Sequence, residues 1–64
     1  MSFGDKVRAR RKEIGLTQEK LAEMAQCSVK TISKIENNNV VKSDKLENVA
    51  ENLGLELQPK GGSL

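Results

Sequence analysis

The stretch TQEKLAEMAQCSVKTISKIE, residues 17–36, decides the fold of this chain because it holds two short helical patterns separated by a tight break. In the first pattern, Thr17 can cap a helix that we predict over about 18–25. Its apolar side chains recur at the spacing that places them on one helical face, and they are Leu21, Met24 and Ala25. This helix therefore has one face that needs a partner to be buried.

The second pattern begins at Ser28, which can cap a helix over about 29–36. Ile32 and Ile35 would face inward, while the two lysines of this helix lie four residues apart on its outward side. Two short amphipathic helices joined by a tight turn are the sequence form of a helix-turn-helix, whose second helix can enter a major groove. The predicted ligand is therefore double-stranded DNA.

The run GLTQEKLAEMAQCSVKTISKIEN, residues 15–37, resembles the DNA-binding domain of the Cro and phage-repressor family of bacterial regulators. TQxxLA, then a Ser cap, TIS and IE carry the resemblance, which extends outward to Phe3 and Leu57. It implies an all-α, lambda-repressor-like bundle of four, possibly five, helices. It also implies a sequence-specific transcriptional regulator, expected to be a cytoplasmic repressor that needs no cofactor.

Two further helices are predicted on either side of this motif. Helix 1 would begin at Ser2, with Asp5 at a capping-box spacing, and end at Gly15. Its buried side chains would be Phe3, Val7 and Ile14. Residues 37–42 contain three consecutive Asn and predict a loop.

Helix 4 would follow that loop, with Ser43 as its cap and Asp44 in its first turn. Its apolar residues recur at i, i+3, i+4 and i+7, and they are Leu46, Val49, Ala50 and Leu53. Gly54 would stop the helix. Residues 1–54 are therefore predicted to form the DNA-binding domain, and residues 55–64 a short tail.

The tail alternates apolar and polar residues over 55–58 before Pro59, which predicts a short edge strand, and its final KGGSL is predicted to be disordered. We expect the strand to pair between two protomers, with Leu53, Leu55 and Leu57 at the dimer interface. The LGLELQP ending also resembles the antitoxin branch of the family. An antitoxin that regulates its own operon and binds a toxin through this tail therefore remains an alternative.

The amino-acid composition further restricts the classes of function that this chain could have. The chain has no His and one Cys, which leaves no internal disulfide, no metal site and little basis for an enzyme. Its 64 residues carry a net charge of only +2, but the charge is unevenly distributed. Residues 1–34 hold eight Lys and Arg against four Asp and Glu, whereas residues 35–64 hold three against five. The N-terminal half is therefore predicted to be the basic, DNA-facing side.

Candidate contacts follow from the outward face of helix 3 and from the resemblance. Base edges would be contacted by Val29, Lys30, Ser33 and Lys34, since lysine can donate to guanine and valine methyls can touch thymine. Phosphates would be contacted by Thr17, Gln18, Ser28, Thr31, Asn38, Asn39 and Lys42. A solvated helix face is the alternative for the two lysines, and an ordinary surface turn is the alternative for the asparagines.

The resemblance also implies a structural ion pair between Arg11 and Glu36 that ties helix 1 to the end of helix 3. The rival interpretation has Arg11 reaching a phosphate. Cys27 is expected to be a small buried hydrophobe, and Gln26 stands at the turn position that relatives fill with glycine. If that position has a positive φ, Gln26 is strained by about 1 kcal/mol.

Overall fold

The computed structural model describes residues 2–55, which form four α-helices and, within that range, no strand. The helices are α1 (Phe3–Ile14), α2 (Gln18–Met24), α3 (Val29–Glu36) and α4 (Ser43–Leu53). This confirms the predicted all-α architecture and the place of the helix-turn-helix within it. The predicted strand beyond Leu55 and the disordered end lie outside the described residues.

Hydroxyl groups cap the first three helices as the sequence predicts. The side chains of Ser2, Thr17 and Ser28 each accept a hydrogen bond from the backbone N–H three residues later, over 3.2, 3.0 and 3.2 Å. Such a bond satisfies one of the N–H groups that have no partner at the start of a helix. The starts of α1, α2 and α3 are therefore encoded locally.

The start of α4 corrects the sequence prediction. Lys42, with φ −59° and ψ 144°, is the flanking residue, and no side chain makes a capping hydrogen bond there. Ser43 is already the first helical residue, one position too late for its hydroxyl to serve as the cap. The prediction that Ser43 caps helix 4 is wrong.

All four helices end in the same way, with one residue in the left-handed conformation. The next residue donates its N–H to the carbonyl five positions back, the pattern of a Schellman motif. The left-handed residues are Gly15, Gln26, Asn38 and Gly54, with φ of 91°, 56°, 62° and 69°. The donors Leu16, Cys27, Asn39 and Leu55 bond over 2.9, 2.9, 2.8 and 2.8 Å. Glycine occupies two of these positions and a residue with a Cβ the other two.

The hydrophobic core lies between the four helices. Its buried residues are Val7, Leu21, Ala22, Ala25, Ile32, Ile35, Val49 and Leu53, with Phe3, Leu16, Cys27, Val41, Leu46 and Leu55 packed around them. Ile14 and Met24 are instead 48% and 40% exposed, which contradicts their predicted inward orientation. Each is the last residue of its helix, and after α2 the core covers the following residue, Ala25, instead of Met24.

One close approach sets the position of α3 against α1. A Cβ added at Gly4 would lie 2.5 Å from the Ile35 carbonyl oxygen, so only glycine fits there. The Gly4 N–H also donates to Asn38 Oδ1 over 3.0 Å, which joins the start of α1 to the end of α3. Across residues 2–55, no helix has the length and apolar character needed to cross a membrane.

Candidate nucleic-acid interface

The orientation of α3 follows from its two isoleucines, which are almost fully buried in the core. Because they occupy one side of the helix, the other side faces solvent. There Lys30 and Lys34 are exposed, Val29 is 39% exposed and Ser33 is half-buried. The structure thus brings the four candidate base-contacting side chains onto one accessible face.

The hydroxyl groups predicted to contact phosphates are already used within the protein. Ser28 Oγ accepts from the Thr31 N–H and lies 3.1 Å from Thr31 Oγ1, within hydrogen-bonding distance. Thr17 Oγ1 accepts from the Lys20 N–H. A hydroxyl oxygen has two acceptor sites and one donor hydrogen, so each group retains capacity for a further partner.

Arg11 and Glu36 lie together in the interior. Arg11 Nε donates to Glu36 Oε2 over 2.6 Å and Nη2 donates to Glu36 Oε1 over 3.3 Å. Arg11 Nη1 donates to the Leu16 carbonyl over 2.9 Å. The guanidinium therefore fixes the end of α3 against the turn that follows α1. Within the described residues, every buried side-chain nitrogen or oxygen has a hydrogen-bond partner.

Gln18 belongs to the same cluster. Its Nε2 donates to Glu36 Oε1 over 3.1 Å, and the residue is half-buried. The sequence predicts that this side chain contacts a DNA phosphate, whereas in this structure its amide holds the Glu36 carboxylate. The amide nitrogen carries a second hydrogen, so Gln18 can donate to a phosphate and keep its bond to Glu36.

Two arginines that sequence reasoning did not assign also have partners. Arg8 Nε lies 3.8 Å from Glu36 Oε1, and Arg10 Nε donates to the Leu53 carbonyl over 3.0 Å. The RARR run contains the signal for Arg8, because residues 8 and 11 lie three apart and share a helical face. Its nearness to Glu36 depends on packing across 28 positions of sequence.

Two cation-lined depressions flank α3. The first, of about 550 Å³, is lined by Arg8, Arg11 and Lys12 together with Thr17, Gln18 and Val29. The second, of about 300 Å³, is lined by Thr31, Lys34, Lys42 and Lys45 with two valines. Lys45 was not assigned from the sequence. Positive charge on both sides of an exposed helix suits a helix inserted between two phosphate strands.

The asparagine loop has a structural role in its first part. Asn37 Nδ2 donates to the Ser33 carbonyl over 2.9 Å, and Asn38 uses its Oδ1 to bind the Gly4 N–H. Asn39 is exposed, as is Lys42 at the start of α4. Asn38 is exposed as well, and because a phosphate accepts hydrogen bonds, its Nδ2 and not the engaged Oδ1 is the group that could reach one.

The structure places the predicted dimer residues in different environments. Leu53 is 2% exposed and belongs to the core of the single protomer, so it has almost no surface left for a partner. Its assignment to the dimer interface is therefore corrected. Leu55 is half-buried against the core, and its N–H completes the cap of α4. Leu57, and most of the ending on which the antitoxin alternative rests, lie outside the described residues.

Comparison with known families agrees with this geometry. The family model described as Helix-turn-helix matches residues 7–59, most of the chain. The matched region contains the two helices of the motif and both flanking depressions. A search of curated proteins finds no match. The chain therefore belongs to the Cro/C1-type helix-turn-helix family of DNA-binding transcription regulators.

Proposed function

We propose that the protein is a transcriptional repressor that binds a specific two-fold-symmetric DNA site as a homodimer, with α3 of each protomer in the major groove. The observation that carries this proposal is the outward face of α3. Lys30 and Lys34 project there, opposite the buried isoleucines and between two cation-lined depressions. A helix presented in this way can reach base edges while its surroundings bind the two strands.

Specificity would come from the outward side chains. The Lys30 and Lys34 ammonium groups can donate to guanine O6 and N7, which are acceptors in the major groove. Val29, near the start of α3, can contact a thymine methyl group, and the Ser33 hydroxyl can donate or accept. This division predicts a half-site that contains guanine opposite the lysines.

Phosphate contacts would fix the position of the helix on the duplex. Thr17 and Gln18 line the first depression, and Thr31 and Lys42 line the second. Ser28 caps the start of α3. Asn38 and Asn39 would extend the contacts along the loop after α3. Such contacts supply affinity without selecting a sequence, and they make binding dependent on salt.

A homodimer is proposed because one small domain offers few specific contacts. Single DNA-binding modules bury about 600–1,000 Å² of protein surface, whereas tight specific binding usually needs two. We place the contact in the tail, with Leu55 and Leu57 pairing across the two-fold axis. A repressor of this design acts in the cytoplasm, where bacterial DNA is located.

Selection of bound duplexes from a random pool tests the proposal. Two protomers should enrich an inverted repeat whose half-site centres lie about 10–10.5 base pairs, or a multiple of that, apart. A protein carrying both Lys30→Ala and Lys34→Ala is the matched control and should lose the enrichment. Enrichment of a single, unrepeated half-site would contradict the homodimer, and no enrichment at all would contradict sequence-specific binding.

A further inference from the structure

The Glu36 carboxylate has more positively charged neighbours than it can neutralise. Its side chain is only 3% exposed and is already bound by Arg11 through two hydrogen bonds. Gln18 donates a third bond to the same carboxylate. Arg8 approaches as well, so two guanidinium charges face one carboxylate charge. One positive charge in this cluster is left over.

Arg8 carries that surplus charge. Its Nε lies 3.8 Å from Glu36 Oε1, which is too long for a hydrogen bond, and its side chain is 59% exposed. Arg11 is hydrogen-bonded to the carboxylate and largely buried. An ion pair without a hydrogen bond and with one partner open to water contributes little to stability. The contact therefore orients Arg8 without occupying its five N–H donors.

We propose that Arg8 binds a phosphate of the DNA backbone, and that Glu36 holds its guanidinium over the first depression until the phosphate replaces the carboxylate as its partner. This inference rests on the proposed DNA-binding mode. It adds the middle of α1 to the interface, a segment to which no contact was assigned.

The surroundings of Arg8 support an anionic partner. The first depression is shared by Arg8, by Thr17 and by Val29 of the outward α3 face, so a strand lying against α3 passes over it. Three cations line it, Arg8, Arg11 and Lys12, whereas the acidic side chain there is Glu19. A guanidinium–phosphate bond is charge-assisted and can be bidentate. It is therefore a better contact than the 3.8 Å approach to Glu36.

Salt dependence distinguishes this role from a structural one. Each phosphate neutralised contributes about 0.9 to the slope of log K against log salt concentration. With a mixed-sequence duplex as the probe, Arg8→Ala should reduce the slope by about 0.9. Between about 50 and 200 mM salt the wild type should then lose about threefold more affinity than the variant. The melting temperature of the free protein should be unchanged, because the Arg8 side chain is 59% exposed and makes no hydrogen bond to Glu36.

Lys6→Ala is the matched control. Lys6 is exposed on the same helix but points about 200° away from Arg8, since each residue of an α-helix advances about 100°. The Lys6→Ala substitution removes the same charge as Arg8→Ala and should leave the slope near the wild-type value. Arg8→Lys retains the charge and should retain the slope as well.

Three results would overturn the inference: equal slopes for Arg8→Ala and wild type, equal reductions for Arg8→Ala and Lys6→Ala, or an Arg8→Lys slope as low as that of Arg8→Ala. A lower melting temperature of Arg8→Ala with an unchanged slope would assign Arg8 a structural role. Failure of the proposed function is a separate result, because it would leave the wild type without an enriched sequence in the selection while the slopes remain measurable.

Discussion

Arg11 and Glu36 join the last turn of α1 to the last residue of α3 through a buried two-bond contact, with Arg11 Nε 2.6 Å from Glu36 Oε2. Both residues are buried, and the Arg11 guanidinium also binds the Leu16 carbonyl. The pair thus connects α1, the turn that follows it and the C-terminal end of α3. We therefore expect this pair to hold the angle of α3, the helix that carries the candidate base contacts.

Glu36→Ala should therefore destabilise the protein in the absence of DNA. The substitution leaves Arg11 buried without its carboxylate, which costs about 3 kcal/mol of unfolding free energy. Glu13→Ala is the control, because Glu13 pairs with Arg10 on the exposed surface and its loss should cost at most about 0.5 kcal/mol. Urea unfolding measures both. Equal stability of Glu36→Ala and wild type would instead make Arg11 available for a phosphate.

Gln26 and Asn38 have nearly the same φ, yet glycine should have opposite effects at the two positions. Gln26→Gly removes a strained Cβ and should stabilise the fold by about 1 kcal/mol. Asn38→Gly relieves less strain, because asparagine tolerates the left-handed region, and it removes the acceptor of the part-buried Gly4 N–H, so it should destabilise the fold by about 1 kcal/mol. Thermal unfolding decides the signs. Gln26→Ala keeps a Cβ, so a gain in that control would refute the strain argument.

Lys30→Ala and Lys34→Ala should each weaken binding to the selected operator by about 1–3 kcal/mol. Binding to mixed-sequence DNA should fall much less, because a base contact is lost. Lys45→Ala is the comparison, since this lysine lines the flanking depression and should lower both affinities alike. Fluorescence anisotropy titration measures the affinity of each variant for the operator and for mixed-sequence DNA, and the ratio of the two affinities reports the lost specificity. Equal losses on the two duplexes would limit Lys30 and Lys34 to phosphate contacts.

Deletion of residues 56–64 should give a monomer that keeps its four helices. This boundary preserves Leu55, whose N–H caps α4 and whose side chain packs on the core. The truncated protein should lose cooperative binding to a two-half-site operator. Circular dichroism and sedimentation measure the two properties. A truncated protein that stays dimeric would move the interface from the tail to the helical domain.

Cys27 should react slowly with iodoacetamide. Burial raises the pKa of its thiol above the ordinary value of 9.0, and the positive charge of Lys45 lowers it to a lesser extent. The thiolate, which is the reactive form, is therefore scarcer at neutral pH than in an unfolded chain. The same protein in urea should react faster, and Lys45→Ala should react more slowly than wild type. A native rate equal to that in urea would contradict this account.

The raised pKa also fixes the direction of the pH effect. The fold favours the protonated thiol, so the associated stability is complete below pH 9.0 and is lost as the pH rises through the higher folded-state pKa. Cys27→Ala should remove that part of the alkaline loss. The test is to measure the unfolding free energies of wild type and Cys27→Ala below and above pH 9.0 and to compare how much each falls.

The sequence by itself determined what depends on neighbouring residues. The hydroxyl caps at Ser2, Thr17 and Ser28 and the outward face of α3 were predictable, because caps reach three residues and helical faces repeat every three or four. The family motif could also be recognised from the sequence, because its residues lie close together along the chain. The left-handed position of Gln26 was recognised only as a condition, since glutamine gives no local signal for a positive φ.

Tertiary structure alone decided how distant segments share atoms. It places Arg8 and Gln18 around Glu36, and it connects Gly4 to Asn38. It also buries Leu53 within one protomer, where an apolar residue on α4 was equally compatible with a dimer surface. The spacing of apolar residues predicts which side of a helix is to be covered. Which surface covers it is set by the packing of helices whose residues are far apart in sequence.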